Sequence, residues 1–232
     1  MSKLLFAAPE TKTVAVRGEA ALYPVHRIFC VGRNYAAHAA EMGVEVDREK
    51  PFYFTKSAQM LQPGGTSIPY PPGTENFHFE MELVIAIGKP AFKVAVGDAL
   101  DAVYGYACGL DMTRRDLQLA ERAKQRPWDL GKDVEQSAVI STITRAADFG
   151  AVGPQRITLS VNGETKQDAH LSDLIWKVEE IISHLSGFYH LAPGDLIYTG
   201  TPAGVGPVVA GDRIEGSIDG LDPISLEITA AE

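Results

Sequence analysis

The 232-residue chain holds only two cysteines, Cys30 and Cys108. Both stand among apolar neighbours, so no disulfide framework is on offer and the chain reads as a cytoplasmic protein with two buried thiols. No stretch approaches the roughly 20 apolar residues of a membrane span, and Met1-Ser2-Lys3-Leu4-Leu5-Phe6 lacks the full apolar core of a secretory signal. Basic charge is also short. Against 30 Asp and Glu there are 21 Lys and Arg, a formal net charge of −9. With no basic stripe to track phosphates, this argues against a nucleic acid or an anionic membrane as partner. An anionic small molecule would have to be drawn in by a few local cations. The glycine-rich segment 200–206 lacks both the Gly-Lys-Ser/Thr ending of a P-loop and the spacing of a dinucleotide fingerprint. No internal repeat is visible.

What the chain does contain is enough apolar residue, 45 %, to bury a large core. The first 25 residues show only weak strand-like alternation and are expected to form a short N-terminal extension, 1–25, before one domain spanning 26–232. Short apolar strands are expected at 28–32, 51–56, 83–87, 103–110 and 196–199. An Ala-rich helix of about two turns, with Asn34 able to cap it and Gly43 at its end, is expected after Gly32-Arg33. Residues 62–74, rich in Pro and Gly, read as a long loop. Asn162-Gly163 signals a hairpin with positive φ at both turn positions. A helix is expected from a Ser172 cap to Gly187, with Leu174, Ile175, Val178, Ile181, Ile182 and Leu185 at helical spacing. Strands outnumber helices and do not alternate with them as a doubly wound sheet requires. The expected class is α+β, a mixed β-sandwich roll with flanking helices.

The chemistry starts at Glu80-Met81-Glu82. Strand side chains alternate with period two, so both carboxylates share one face beside an apolar run. Their mutual repulsion is most simply relieved by a cation, and all-oxygen ligands favour Mg2+ or Mn2+ over zinc. Asp111 ends a buried strand and can supply a third carboxylate; spacing alone equally allows it to cap the helix expected over 113–125 and closed by Pro127. His38 and Glu41, three apart on a helix, share a face and together can take a proton from water. A surface ion pair is the competing reading of that pair. Lys132 can neutralise a developing oxyanion, or simply be a surface lysine.

In order along the chain, Gly32-Arg33-Asn34-Tyr35 with His38 and Glu41, Glu80-Met81-Glu82-Leu83, residues 109–116, Lys132 and residues 199–207 resemble the fumarylacetoacetate hydrolase superfamily. Within it, residues 24–28, Arg126-Pro127-Trp128 and the overall size are most similar to the bacterial branch that acts on fumarylpyruvate in gentisate-type aromatic degradation. The resemblance implies that Glu80, Glu82 and Asp111 bind Mg2+ or Mn2+. His38 and Glu41 would form a water-activating dyad on a lid, and Lys132 would stabilise negative charge beside the metal. Lys56, Arg115, Gln118 and Thr201 would hold substrate oxygens, and the assembly would be a homodimer. One departure stands out: Asp133-Val134-Glu135-Gln136 follows Lys132, where relatives tend to carry an uncharged and an aromatic residue, which bears on the charge around Lys132.

These parts suit cleavage of the C3–C4 bond in a 2,4-dioxo acid, an acylpyruvate. With fumarylpyruvate the acyl arm carries a second carboxylate, and Arg33 or Arg115 is the expected partner. The alternatives within the superfamily are an oxaloacetate decarboxylase or a tautomerase, which need no activated water. A non-enzymatic divalent-cation-binding protein would assign no role to His38, Glu41 or Lys132.

Overall fold

The computed structural model describes residues 4–41 and 50–232. Two mixed sheets curl against each other around the main apolar cluster. The larger, of eight strands, runs in the order Phe52–Lys56, Arg27–Gly32, Asp195–Tyr198, Met81–Ile87, Val103–Asp111, Ala138–Ile140 and Leu61–Pro63, with Thr144–Arg145 also pairing to Val103–Asp111. The second, of five strands, runs Glu164–His170, Arg156–Val161, Arg213–Ile218, Ile224–Thr229 and Thr66–Pro69. A small sheet of Thr113–Arg114, Phe77–Phe79 and Gly206–Val208 closes one end.

Strand Met81–Ile87 is buried along its whole length, and its alternation divides the interior. Met81, Leu83, Ile85 and Ile87 pack between the two sheets. Val84 and Ala86 face the other way, into a smaller cluster with Cys30, Ala107 and Tyr198. Both cysteines are free and buried. The N-terminal ladder Thr13–Val14 with Tyr23–Pro24 also seats Val14, Val16, Tyr23 and Val25 in that smaller cluster. No helix among the described residues is long and apolar enough to cross a membrane.

The hairpin at Asn162-Gly163 forms with φ of 51° and 80°, as its turn chemistry requires. Three expectations need correction. The segment 62–74 is not a plain loop: it contributes Leu61–Pro63 and Thr66–Pro69 as edge strands of the two sheets. The helix expected from Ser172 starts only at Val178, after a short turn at Leu171–Asp173. Its missing first part is claimed by Asn34, which accepts from Trp176 N–H at 2.6 Å and donates to the Trp176 carbonyl at 2.9 Å. Asn34 is therefore no helix cap; its amide also donates to the Thr199 carbonyl and straps three segments together. The short helix itself is described over Ala36–Glu41, and Gly43 lies outside the described residues.

Candidate active site

Antiparallel register brings the acidic residues together. Met81 pairs with Leu110 and Glu82 with Gly109, so Glu80 stands directly across from Asp111 on the same face, and Glu82 sits diagonally. One carboxylate oxygen from each of Glu80, Glu82 and Asp111 lies within 4.8 Å of the others, all three residues being buried. Gly109, opposite Glu82, is required by packing, for a Cβ there would lie 2.4 Å from Val84 and 2.6 Å from Tyr198. Asp111 is no helix cap, because the helix begins at Arg115 after the two-residue strand Thr113–Arg114.

Cations hold two of these three carboxylates. The turn Asp129–Lys132 packs Gly131 directly on Gln118, which lets Lys132 reach inward. Its Nζ donates to Glu80 Oε2 at 2.7 Å, to Asp111 Oδ2 at 2.6 Å and to Thr113 Oγ1 at 2.8 Å. Arg115 pairs with the other Glu80 oxygen and also bonds Gln118. Burial alone would raise Glu80, but the charges of Lys132 and Arg115 outweigh it and hold its carboxyl well below the usual range. Burial would likewise lower Lys132, and Asp111 and Glu80 reverse that, so its amine is raised. Glu82 differs. Burial, then the neighbouring charges of Asp111 and Glu80, push its carboxyl well above the normal value; it makes no ion pair among the described residues and accepts only the Gly200 N–H, at 2.7 Å.

Gly200 adopts φ +95°, and a Cβ would lie 2.7 Å from Asn34, so both conformation and space demand glycine there. The glycine loop thus directs its N–H groups at the protein's own carboxylates: Gly204 N–H also meets Glu41 Oε1 at 3.1 Å. Glu41 Oε2 in turn lies 3.1 Å from His38 Nδ1. His38 is 6 % exposed and lines a small cavity together with Glu80, Glu82, Arg115, Gln118 and Lys132.

Of the residues expected to hold substrate, Arg33, Arg115, Gln118 and Thr201 line this cavity. Thr201 accepts from Gln167 Nε2 at 2.8 Å. Lys56 does not line the cavity. Its fully buried side chain lies beneath the site, with Nζ 2.9 Å from Asp111 Oδ1 and donating to the carbonyls of Met112 and Lys132 and to Ser137 Oγ. It braces Asp111 and the Lys132 turn. Lys132 is no surface residue either, at 2 % exposure. The departure at Asp133 is harmless to it: that carboxylate turns outward and binds Ser57 N–H and Oγ, each at 2.7 Å. Arg122 and Phe54 also line the cavity and carry no signal in any single motif, and Trp128 joins them from the Arg126-Pro127-Trp128 string. Arg122 was findable by spacing, since Arg115, Gln118 and Arg122 recur at i, i+3 and i+7 on the helix Arg115–Ala123.

The donor set fits a divalent cation. Its atoms are all oxygen, Glu82 has no cationic partner, and Asp111 Oδ1 has no hydrogen-bond partner among the described residues, its approach to Lys56 being out of hydrogen-bonding line. Fold and site together define an enzyme-type carboxylate centre at the mouth of a β-roll. Residues 27–229 match the family model of the fumarylacetoacetate hydrolase C-terminal domain. A fumarylpyruvate hydrolase from Ralstonia is 57 % identical over 194 residues, covering 82 % of this chain and 100 % of that one. A mitochondrial oxaloacetate tautomerase from Arabidopsis thaliana is 39 % identical, over 87 % of this chain and 90 % of its own. The crystal structure of Pseudomonas aeruginosa fumarylpyruvate hydrolase in complex with Mn2+ and pyruvate superposes with a TM-score of 0.95 at 45 % identity, covering 98 % of this chain and 100 % of that one. The chain belongs to the fumarylacetoacetate hydrolase family.

Proposed function

We propose that this protein is a divalent-cation-dependent hydrolase that cleaves the C3–C4 bond of a 2,4-dioxo acid, converting fumarylpyruvate and water to fumarate and pyruvate. The observation that carries this reading is the convergence, on one cavity, of three buried carboxylates, the Lys132 ammonium and the His38–Glu41 pair. Glu80, Glu82 and Asp111 would hold Mg2+ or Mn2+, which when bound supplies Lewis-acid polarisation of a 2-keto acid.

The side chains supply the rest. Glu41 fixes His38 through Nδ1, which leaves Nε2 to take a proton from water. The water oxygen adds to the C4 carbonyl; the C3–C4 bond then breaks with its electron pair going to C3, and the proton held by His38 is available to make the methyl group of pyruvate. Lys132, fixed by three acceptors, faces the negative charge that develops on the keto acid oxygens. The likeness to fumarylpyruvate hydrolases at 57 % and 45 % identity supports the choice of acyl group.

The tautomerase relative, at 39 % identity, favours one second reading, in which the same charge stabilisation serves enolisation of oxaloacetate without water. Loss of the ultraviolet absorbance of fumarylpyruvate, with Mg2+ and then with chelator, tests the hydrolase, and product analysis must show pyruvate and fumarate. Persistence of both fumarylpyruvate and acetylpyruvate while oxaloacetate is consumed would overturn it. We infer in addition a cytoplasmic homodimer, as the family resemblance implies, to be checked by sedimentation.

A further inference from the structure

Arg33 and Arg122 both line the cavity that holds the acidic cluster, and both are half-buried. The other cations there are spent on the site itself: Arg115 on Glu80, Lys132 on Glu80 and Asp111, Lys56 on Asp111. Arg33 and Arg122, by contrast, form no ion pair with any Asp or Glu among the described residues. They also feel each other, because burial first and the Arg122 charge second depress the Arg33 guanidinium. Two like charges kept close in a cavity call for an anion between them.

Arg33 is held in place by built-in devices. Its backbone takes the left-handed conformation, φ 56°, and its guanidinium lies 5.3 Å from the centre of the Phe52 ring. That ring can lie against the chain only because residue 32 is glycine; a Cβ there would fall 2.1 Å from Phe52 Cζ. Trp128 meets Phe52 edge-on at 5.5 Å. Arg122 stands seven residues beyond Arg115, about 10 Å further along the helix axis at 1.5 Å per residue. A cation in the last turn of a helix is also favoured by the helix dipole. That accounts for the sign of Arg122 but not for a second guanidinium beside it.

Building on the hydrolase reading, we propose that Arg33 and Arg122 together receive a second carboxylate, carried on the acyl arm of the substrate, and thereby select dicarboxylic acylpyruvates. This replaces Arg115 by Arg122 as the partner of the distal carboxylate.

The test compares kcat/KM for fumarylpyruvate and acetylpyruvate in the wild type, Arg122→Gln, Arg122→Lys and Arg33→Gln. The ratio of the two values is expected to fall between about 10- and 100-fold in each Gln variant, the worth of one charge-assisted bond, and to recover in part in Arg122→Lys. An unchanged ratio, or an equal fall on both substrates, overturns the proposal. A second measurement is independent of turnover: enzyme saturated with Mg2+ and oxalate is titrated with fumarate and with crotonate by calorimetry. Tighter binding of fumarate that is lost in Arg122→Gln supports the receptor, and equal binding of the two acids refutes it. Should the wild type cleave neither acylpyruvate, the hydrolase reading falls and the calorimetric comparison alone decides the receptor.

Discussion

Replacing Lys56 by Met removes a completely buried ammonium group while keeping the apolar stem that fills its channel. Asp111 Oδ1 then loses a cation at 2.9 Å, and the Met112 carbonyl and Ser137 Oγ lose a donor at 3.1 and 2.8 Å. Breaking one side of a buried ion pair costs about 3–5 kcal/mol. The stranded carbonyls add little on top, because the same amine serves them all. In a domain of this size each kcal/mol moves Tm by about 2–4 °C, so a fall of about 10 °C is expected in differential scanning calorimetry with chelator present. Lys56 also ties Asp111 to the Lys132 turn, so Mn2+ affinity, read by calorimetric titration, should weaken by about tenfold or more, while KM at saturating Mn2+ should change by less than about threefold. A variant that melts within about 2 °C of the wild type and shows instead a tenfold rise in KM would mean that Lys56 touches substrate, and the bracing argument would be wrong.

His38→Ala should lower kcat on a 2,4-dioxo acid by about 10²–10⁴-fold with Mn2+ affinity nearly unchanged, and should spare any enolisation of oxaloacetate; steady-state kinetics on both substrates measure it. Gly200→Ala places a Cβ 2.7 Å from Asn34 at φ +95° and pulls an N–H from Glu82, so a loss of about 2 kcal/mol or more is expected in chemical denaturation, together with weaker Mn2+ binding. The two glutamates should behave oppositely in metal-free melts. Glu80 is depressed, so its contribution is present above the unfolded value of about 4.3 and is lost as pH falls through the folded one; Glu80→Gln should cost about 3–5 kcal/mol at pH 7. Glu82 is raised, so its contribution is present below that unfolded value and is lost as pH rises through the elevated one. Glu82→Gln, whose amide oxygen still accepts the Gly200 N–H, should therefore raise Tm in chelator, more at pH 8 than at pH 5, yet bind Mn2+ poorly.

How much of this was legible in the text of the chain follows from what each signal depends on. Period-two alternation is local, so Glu80 and Glu82 could be placed on one face from sequence alone, and the buried strands around them came with that. The hairpin at Asn162-Gly163 was equally local. The helix expected from Ser172 failed because its apolar spacing was right while its backbone was already taken, by a side chain 142 residues away in sequence. The same long-range bond moved Asn34 from cap to strap. The burial of Lys56 is illegible for a related reason: a lysine at the end of a strand carries no mark of which way the sheet will curl, and here the curl buries it beside Asp111. Arg122 was available from helical spacing once Arg115 and Gln118 had been singled out, but no motif contained it.

The charge arrangement explains why the carboxylates are not interchangeable. Glu80, Glu82 and Asp111 face three close cations, Lys132, Arg115 and Lys56, so by count the cluster is neutral. By position it is not, since Lys132 and Arg115 serve Glu80, Lys132 and Lys56 serve Asp111, and Glu82 has only a backbone N–H. The deficit is therefore concentrated on one oxygen pair beside the open cavity, where a divalent cation would have most to gain. A divalent cation held there would add two positive charges to a neutral cluster, which the carboxylate of an incoming dioxo acid would offset in part. A chain carrying a net charge of −9 can in this way present a locally cationic mouth to an anion. Raising ionic strength should then weaken substrate capture far less than it would for an enzyme relying on a basic surface, because the charges that matter lie within a few ångströms of each other and well inside the Debye length. A kcat/KM that fell more than about tenfold between 0.05 and 0.5 M salt would show that capture depends on distant surface charge instead.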